Sequence, residues 1–494
     1  MKINGKLSTS ICIGLLSFLL FIITRSGQHT YDGLMFSYAI SRDIFPSTVF
    51  RPHNLLYLPS AIAFGKTLSL TGVNFNKTHP FLVGQIWSAL WGSISVGIFY
   101  LITRRLLSLK KALGITILFI TTFSVWAMAT EVEVYTMSLA TVSGLYLVLI
   151  RRHPSAILTG VLWGISILAH ITNALLIIPL FFYYFMFGER KWRWFVIILI
   201  TGIVLASGVY LAVGCLIAKV DSLTGFIAWI ISWTAHQEGY GIYKVKQLLA
   251  GFLGLKRAFV CGRVRALMIF HIITLFSTFF IILKQRGLKR KIGLVFLSHI
   301  VVYSIFFSWW EPLNIEFWVV TMLPLCLMIG LAWRLIHKSK WRFAFSILII
   351  LTILVQLDFN LKAIIPRTDP TKDYWMNKAK SMDNHLRRND LVIIFSDPIM
   401  FTLPLEAQHE NTAVITILAD AVHMDYNLAI KRLKKIIEIT RKNGGKIFVT
   451  RDVLNPNPQH LAPFSITKEK HLKTMQNLVS SDLKRKIPGA DLYY

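Results

Sequence analysis

The sequence predicts a polytopic α-helical membrane protein of about eleven transmembrane helices, followed by a small α/β domain at the C-terminus. Three observations carry this. Uncharged apolar stretches of spanning length recur through residues 1–360, and short Lys/Arg clusters separate them. After Arg367 the composition changes abruptly to mixed charged and apolar sequence. Residues 1–365 are therefore read as the membrane domain and 366–494 as a soluble, extracytoplasmic domain.

The apolar segments fall near 8–24, 81–103, 112–129, 133–150, 155–170, 171–187, 194–218, 266–283, 292–308, 315–333 and 343–357. No small-x-small cleavage site follows the first segment before Arg25, so a retained first span is expected rather than a signal peptide. The whole chain of 494 residues carries a formal charge of +29. In a soluble protein that excess would suggest nucleic acid. Here the first 357 residues hold 32 Lys/Arg against nine Asp/Glu, much of the excess in clusters between apolar segments. That is the pattern of positive-inside loops, and no nucleic-acid partner is expected.

The clusters are Lys2/Lys6, Arg104/Arg105/Lys110/Lys111, Arg151/Arg152, Arg190/Lys191/Arg193, 284–291 and 334–342. With a cytoplasmic N-terminus, every one of them falls on the cytoplasmic side. The acids follow the opposite rule: Asp32, Asp43, Glu131, Glu133, Asp221, Glu238, Glu311 and Glu316 lie on the outer side, and only Glu189 lies inside. Acids contribute little to topology, so the rule that places the basic clusters does not explain them. Carboxylates at span ends are costly and often functional. Glu131 and Glu133 are pressed between two spans with almost no loop. The four cysteines, Cys12, Cys215, Cys261 and Cys326, show no metal-type spacing and imply no disulfide framework.

Two outer segments stand out. Residues 219–265 carry Lys219, Lys244, Lys246, Lys256, Arg257, Arg263 and Arg265, interleaved with Trp229, Trp233, Tyr240 and Tyr243. Their apolar runs at 223–233 and 248–255 are too short to span and read as interfacial or re-entrant helices beside an anionic partner, a headgroup or a lipid-linked phosphate. Residues 26–80 hold Asp32, Asp43, Arg51, His53 and Asn54, then an apolar stretch from Leu55 to Leu70 that can lie along the membrane surface.

These residues resemble a family. A long first outer loop with an acid just after span one, followed by a surface helix, is similar to the GT-C class of glycosyltransferases, and most closely to the bacterial branch related to protein O-mannosyltransferases. The matching motifs are Tyr31-Asp32-Gly33, Arg51-Pro52-His53-Asn54, Glu133-Val134-Tyr135, the stretch Gly164–Pro179 with His170 and Asn173, and Trp309-Trp310-Glu311-Pro312-Leu313-Asn314. The family's His-Pro order reads Pro-His here. The resemblance covers most of residues 25–325 and rests on the order and sidedness of the motifs.

The resemblance implies an enzyme of the bacterial inner membrane. It would transfer a sugar by inverting displacement from a polyprenyl-phosphate donor to a lipid, glycan or protein acceptor on the outer face. It implies Asp32, Glu133 and Glu131 as catalytic acids, with Asp32 as general base or orienting group for the acceptor hydroxyl. Arg51, Lys256 and Arg257 are candidates to stabilise the leaving phosphate. Asp43, His53, Tyr135, His170, Asn173, Glu311 and Asn314 are assigned to substrate binding. Some members of the class use a divalent cation, for which Asp32 with Glu131 or Glu133 would supply oxygens. The alternative is a lipid or glycolipid transporter without transferase activity. That reading expects acids or broken helices near mid-membrane and internal repeats. The predicted spans carry almost no charge, and no repeat is evident.

In the tail, 372–388 reads as a helix, Leu391–Phe395 as a strand, then a short helix, the strand Ala413–Leu418 and the amphipathic helix Tyr426–Lys442. Asn443-Gly444-Gly445 breaks that helix before the strand Lys446–Thr450. A small parallel sheet is expected. Asp397, Asp420 and Asp452 follow its strands, where they either bind ligands or cap helices. The tail is expected to recognise the acceptor or cover the active site.

Overall fold

All eleven apolar segments carry helix, but many of the helices are shorter than their segments. The computed structural model describes residues 2–42, 50–151, 154–187, 191–231, 245–262, 269–284, 288–336, 341–406, 409–418, 425–457, 461, 464, 466–479, 486–487 and 492–493. Of the residues singled out above, Asp43, Arg152, Glu189, Arg190, Trp233, Glu238, Tyr240, Tyr243, Lys244, Arg263, Arg265 and Asp420 lie outside the described residues.

Five described helices are long and apolar enough to cross a membrane: Gly5–Ile23, Pro80–Leu106, Trp192–Ile217, Arg290–Trp310 and Arg342–Thr368. Leu109–Ile120 and Phe123–Ala129 form a sixth when taken as one span bent by 64°. Tyr135–Leu149, Ala156–Ala169, Ile171–Met186, His271–Leu283 and Val319–Leu335 are apolar but shorter. Among the described residues, length and composition thus assign five or six spans, and the other five apolar helices fall short of spanning length. The physical reason is local. A helix of 15 residues such as Tyr135–Leu149 rises only about 22 Å, less than the ~30 Å hydrocarbon core. The helix starts two residues into its segment because Glu131–Val134 is not helical.

The chain divides into two compact units. The first comprises Met1–Ser26, Phe45–Val213 and Tyr240–Asp369. Helix Val319–Leu335 lies at its centre, buried on every side from Val319 to Ala332, as a helix apolar all round must be. Helices Leu288–Trp310, Leu109–Ile120, Ile269–Leu283 and Tyr135–Leu149 pack around it. The first helix and Arg342–Thr368 bury only 17% and 28% of their apolar windows inside the protein, against 61% for Pro80–Leu106, so their open faces are suited to lipid. The surface helix expected after Asn54 is Tyr57–Leu68, which buries Tyr57, Leu58, Ala61, Ile62 and Gly65 on one face.

The second unit joins Gly27–Ile44 and Gly214–Gly239 to Pro370–Tyr494. The sequence reading places the first two segments with the membrane domain. The sheet has strands β1 (Leu391–Ile394), β2 (Thr412–Val414), β3 (Ile447–Thr450), β4 (Lys486–Ile487) and β5 (Leu492–Tyr493) in the order β2-β1-β3-β5-β4. β2, β1 and β3 are parallel, with Ile393 opposite Ala413 and Val449, while β5 and β4 add an antiparallel edge. The purely parallel sheet expected is therefore mixed. The strand expected over Ala413–Leu418 turns into helix at Ile415, and the helix expected over 372–388 is confined to Tyr374–Asp383. Helix Tyr426–Lys442 buries Ala429, Leu433 and Ile437 against Leu391, Ile393 and Val449. Asp452 ends the sheet: one carboxylate oxygen accepts the backbone N–H groups of Phe395 (3.1 Å), Ser396 (2.8 Å) and Asp397 (2.9 Å). Asp397 caps Ile399 N at 3.0 Å and pairs with Lys378 at 3.2 Å. Burial raises its carboxyl above the ordinary carboxylate value, opposed by the Ile399 N–H and the Lys378 charge. Both acids have structural partners.

Candidate active site

In the first unit, two short turns bring carboxylates together. The first runs Glu131-Val132-Glu133-Val134, between the helices ending at Ala129 and beginning at Tyr135. Ser26 fixes its approach by donating its backbone N–H to Thr130 O (2.8 Å). Gln85 Nε2 in turn donates to Ser26 O (2.6 Å). Gly84 lets the turn lie directly on helix Pro80–Leu106, since a Cβ there would collide with the Val132 side chain. The Ser88 hydroxyl then clasps Glu133 by its backbone, accepting from Glu133 N (3.0 Å) and donating to Glu133 O (3.2 Å). Tyr57 Oη lies 2.7 Å from Ser88 Oγ and also donates to Gly84 O. Burial first, with the Glu133 and Glu131 charges adding to it, pushes the Tyr57 phenol far above its ordinary value, so it stays a proton donor. Both glutamates are fully buried. Because its backbone is clasped, the Glu133 carboxylate has a fixed origin.

The second turn follows helix Leu288–Trp310. Asn314 Nδ2 donates to Glu311 Oε2 (2.9 Å) and Glu316 Oε2 (3.4 Å), and Asn314 Oδ1 accepts from Glu316 N (3.1 Å). Trp318 Nε1 donates to Pro312 O at 3.1 Å. Beneath it, Gly254 of helix Val245–Phe259 touches Pro312 O and the Trp318 indole so closely that no side chain fits. A carboxylate oxygen of Glu133 and one of Glu316 lie within 4.8 Å of each other. Divalent cations bind carboxylate oxygens at about 2.0–2.6 Å, so a single ion can bridge two oxygens at that separation. The pair fits a hard divalent cation.

A third group lies on residues 51–56 and 168–173. Ile171 N donates to His53 O (2.9 Å) and Leu56 N to Leu168 O (3.3 Å). The His53 and His170 rings sit 6.3 Å apart, and His170 is 5.0 Å from the Tyr135 ring. His170 Nδ1 bonds Thr172 Oγ1 (2.7 Å). Burial, with the neighbouring Arg51 charge and His170, holds His53 well below the ordinary imidazole value, so it is neutral. Arg51 is buried and supplies the positive charge of this group.

The candidates separate on these contacts. Asn173 sits among structural partners: Nδ2 donates to Ser138 Oγ and Ser166 O, and Oδ1 accepts from Tyr303 Oη. Lys256 donates to Gly262 O at 2.6 Å, which closes the end of its helix. Arg257 is exposed. Glu131 Oε1 accepts the N–H of its neighbour Val132 (2.9 Å). Asp32 lies in the second unit, in the first turn of helix Tyr31–Ser41, whose N-cap Thr30 accepts from Gly33 N. Sequence reasoning counted Glu316 among the outer acids but gave it no role, and it missed Ser88, a common residue whose clasp on Glu133 no local pattern announces.

No protein-family model matches the chain, and no curated protein is similar to it in sequence. Solved structures are similar in fold. ArnT from Cupriavidus metallidurans bound to undecaprenyl phosphate matches with a TM-score of 0.61 at 12% identity, over 93% of this chain and 95% of that one. The Archaeoglobus fulgidus oligosaccharyltransferase in complex with zinc and sulfate matches with a TM-score of 0.53 at 12% identity, over 94% and 70%. The fold is that of the GT-C class. The archaeal oligosaccharyltransferase AglB, in complex with an inhibitory peptide and a dolichol-phosphate, aligns over 90% of this chain at 11% identity with a TM-score of 0.50. With this GT-C fold and its apolar helices, the chain is a multi-pass membrane protein.

Proposed function

We propose that this protein is a glycosyltransferase that moves a sugar from a polyprenyl-phosphate-linked donor to a lipid, glycan or protein acceptor at the non-cytoplasmic membrane face. The observation that carries the reading is the GT-C fold, shared over 93% of the chain with a structure bound to undecaprenyl phosphate. The order of the sequence motifs favours the branch related to protein O-mannosyltransferases. The basic clusters favour a cytoplasmic N-terminus and a tail outside the cytoplasm, and the family resemblance implies a bacterial inner membrane.

Asp32 takes the role its motif implies. It accepts the proton of the acceptor hydroxyl as that oxygen attacks the anomeric carbon, and the bond from carbon to phosphate oxygen breaks with its electron pair leaving on the polyprenyl phosphate. Arg51 faces the charge that develops on that phosphate, where a poorly hydrated guanidinium is most effective. Neutral His53, His170 and Tyr135 offer hydrogen bonds and a ring face to the sugar, and Asp43, Lys256 and Arg257 stay candidates for the donor's polar end. Asn173, near His170 in the chain, stays a candidate for substrate binding, as do Glu311 and Asn314, of which Asn314 holds Glu316. Glu133 and Glu316 would hold a divalent cation, which supplies Lewis-acid stabilisation to a phosphate oxygen when bound.

The test is turnover of polyprenyl-phosphate sugars by the purified protein in lipid nanodiscs, with Asp32→Asn and Glu133→Gln alongside. Product from the wild type and at least about a hundredfold less from each variant is expected. Full activity in Asp32→Asn would remove that residue from the mechanism. ATP-independent or gradient-driven lipid movement without sugar transfer would favour the transporter instead.

A further inference from the structure

Asn54 is completely buried, yet neither its side-chain nitrogen nor its side-chain oxygen has a hydrogen-bond partner among the described residues. A carboxamide brings two donors and a two-lone-pair acceptor. Buried polar groups are normally satisfied, and each exception calls for an explanation. Relaxation of the backbone does not supply one, because the segment is stitched on both sides. Asn54 N donates to Arg51 O (3.0 Å), Ile171 N to His53 O (2.9 Å), Leu56 N to Leu168 O (3.3 Å), and the Tyr210 hydroxyl to Pro52 O.

The position of this amide along the chain gives it a use. Buried Arg51 lies three residues before it, and three residues after it stands Tyr57, which is bonded to the Ser88 that clasps Glu133. We infer that the Asn54 carboxamide is a preorganised ligand contact that hydrogen-bonds an oxygen of the lipid-linked donor. This deepens the glycosyltransferase reading and rests on it. A ligand oxygen suits the amide because Nδ2 donates to a phosphate oxygen, while Oδ1 and Nδ2 together serve a sugar hydroxyl. An amide held ready but unpaired costs the ligand-free protein stability and makes its loss informative, since replacement by an apolar group of similar volume relieves the unmet bonds.

The experiment compares wild type and Asn54→Leu in nanodiscs. It measures melting temperature and affinity for two probes, undecaprenyl phosphate and undecaprenyl-phosphate mannose, on the folded fraction of each protein. Asn54→Leu is expected to melt at or above the wild-type temperature and to bind the sugar-bearing lipid at least tenfold more weakly. Equal weakening on both lipids assigns the contact to the phosphate. Weakening on the sugar-bearing lipid alone assigns it to a hydroxyl. Wild-type affinity for both lipids in the variant, whether its melting temperature holds or falls, would overturn the inference and leave the amide a structural group. If Asn54→Leu does not fold, Asn54→Ala is read by the same affinities. A wild type that binds neither lipid would instead overturn the glycosyltransferase reading, and this inference with it.

Discussion

Glu133 is held through its backbone, so chemistry and folding can be separated at this residue. Glu133→Gln keeps both Ser88 contacts and should leave the melting temperature within a few degrees while turnover falls about a hundredfold or more. Ser88→Ala does the reverse: the carboxylate remains but its origin loosens, and kcat should fall about tenfold with a smaller change in KM. Initial rates over a substrate series distinguish the two. His53 makes a pH prediction. Its folded-state value lies well below the ordinary 6.5, so as pH falls through that value the unfolded chain takes up protons that the native protein refuses. Its stabilising contribution is therefore present above about pH 6.5 and lost progressively in acid. Melting curves from about pH 5 to 8 should steepen in acid for the wild type and flatten for His53→Gln. At this scale the sequence was informative wherever a charge stood at a span end, which singles out Glu133. It was silent about Ser88 and Asn54, whose importance lies in what they bond or fail to bond across the fold.

Hydropathy located every apolar segment but not the breaks within them, because a break is stabilised by partners far away in the chain. The bend after Ile120 shows how. Asn360 Nδ2 donates to Thr121 O (2.6 Å), and Thr121 Oγ1 donates to Gln356 Oε1 (2.8 Å). The same two residues of the last membrane helix hold the end of helix Val245–Phe259: Gln356 Nε2 donates to Phe259 O (2.7 Å), and Asn360 Oδ1 accepts from Cys261 N (2.8 Å). A broken helix of this kind would suit a transporter, but here the break is fully buried and cross-braced, as in a static support. Gln356→Leu removes its bonds to the Thr121 hydroxyl and the Phe259 carbonyl, which keep Ile117 O and Asn360 Nδ2 (3.4 Å) as partners, and should cost about 1–2 kcal/mol, read from the melting midpoint. Because helix Val245–Phe259 carries the turn of Glu311, Asn314 and Glu316 on Gly254, the variant should also lower turnover. The tail shows the same limit. Helix Tyr426–Lys442 was legible because its apolar period is complete, whereas Ile415–Leu418 is β-branched and apolar enough to read as strand but turns helical against Tyr426–Lys442.

In the whole molecule, the catalytic candidate Asp32 is built into the unit that contains the C-terminal domain. Tyr31 and Tyr38, on the helix that bears Asp32, set their rings against Phe401 at 5.5 and 5.8 Å. Asp373 accepts His29 N at 2.7 Å with one oxygen and caps Met376 N at 2.8 Å with the other. An acid that must meet an acceptor hydroxyl in the right geometry depends on such support, since a displacement of about 1 Å can cost a hundredfold in rate. On this argument the tail's first task is to position Asp32, ahead of any recognition of the acceptor. Phe401→Ala and Asp373→Ala should each lower kcat about tenfold while affinity for the polyprenyl-phosphate donor stays within about twofold, because the donor contacts proposed at Arg51, His53 and Asn54 lie in the other unit. Binding and turnover measured on the same nanodisc preparations separate the two quantities. Unchanged kcat in both variants would show that the helix of Asp32 keeps its geometry without the tail, and would return the tail to a role in acceptor recognition.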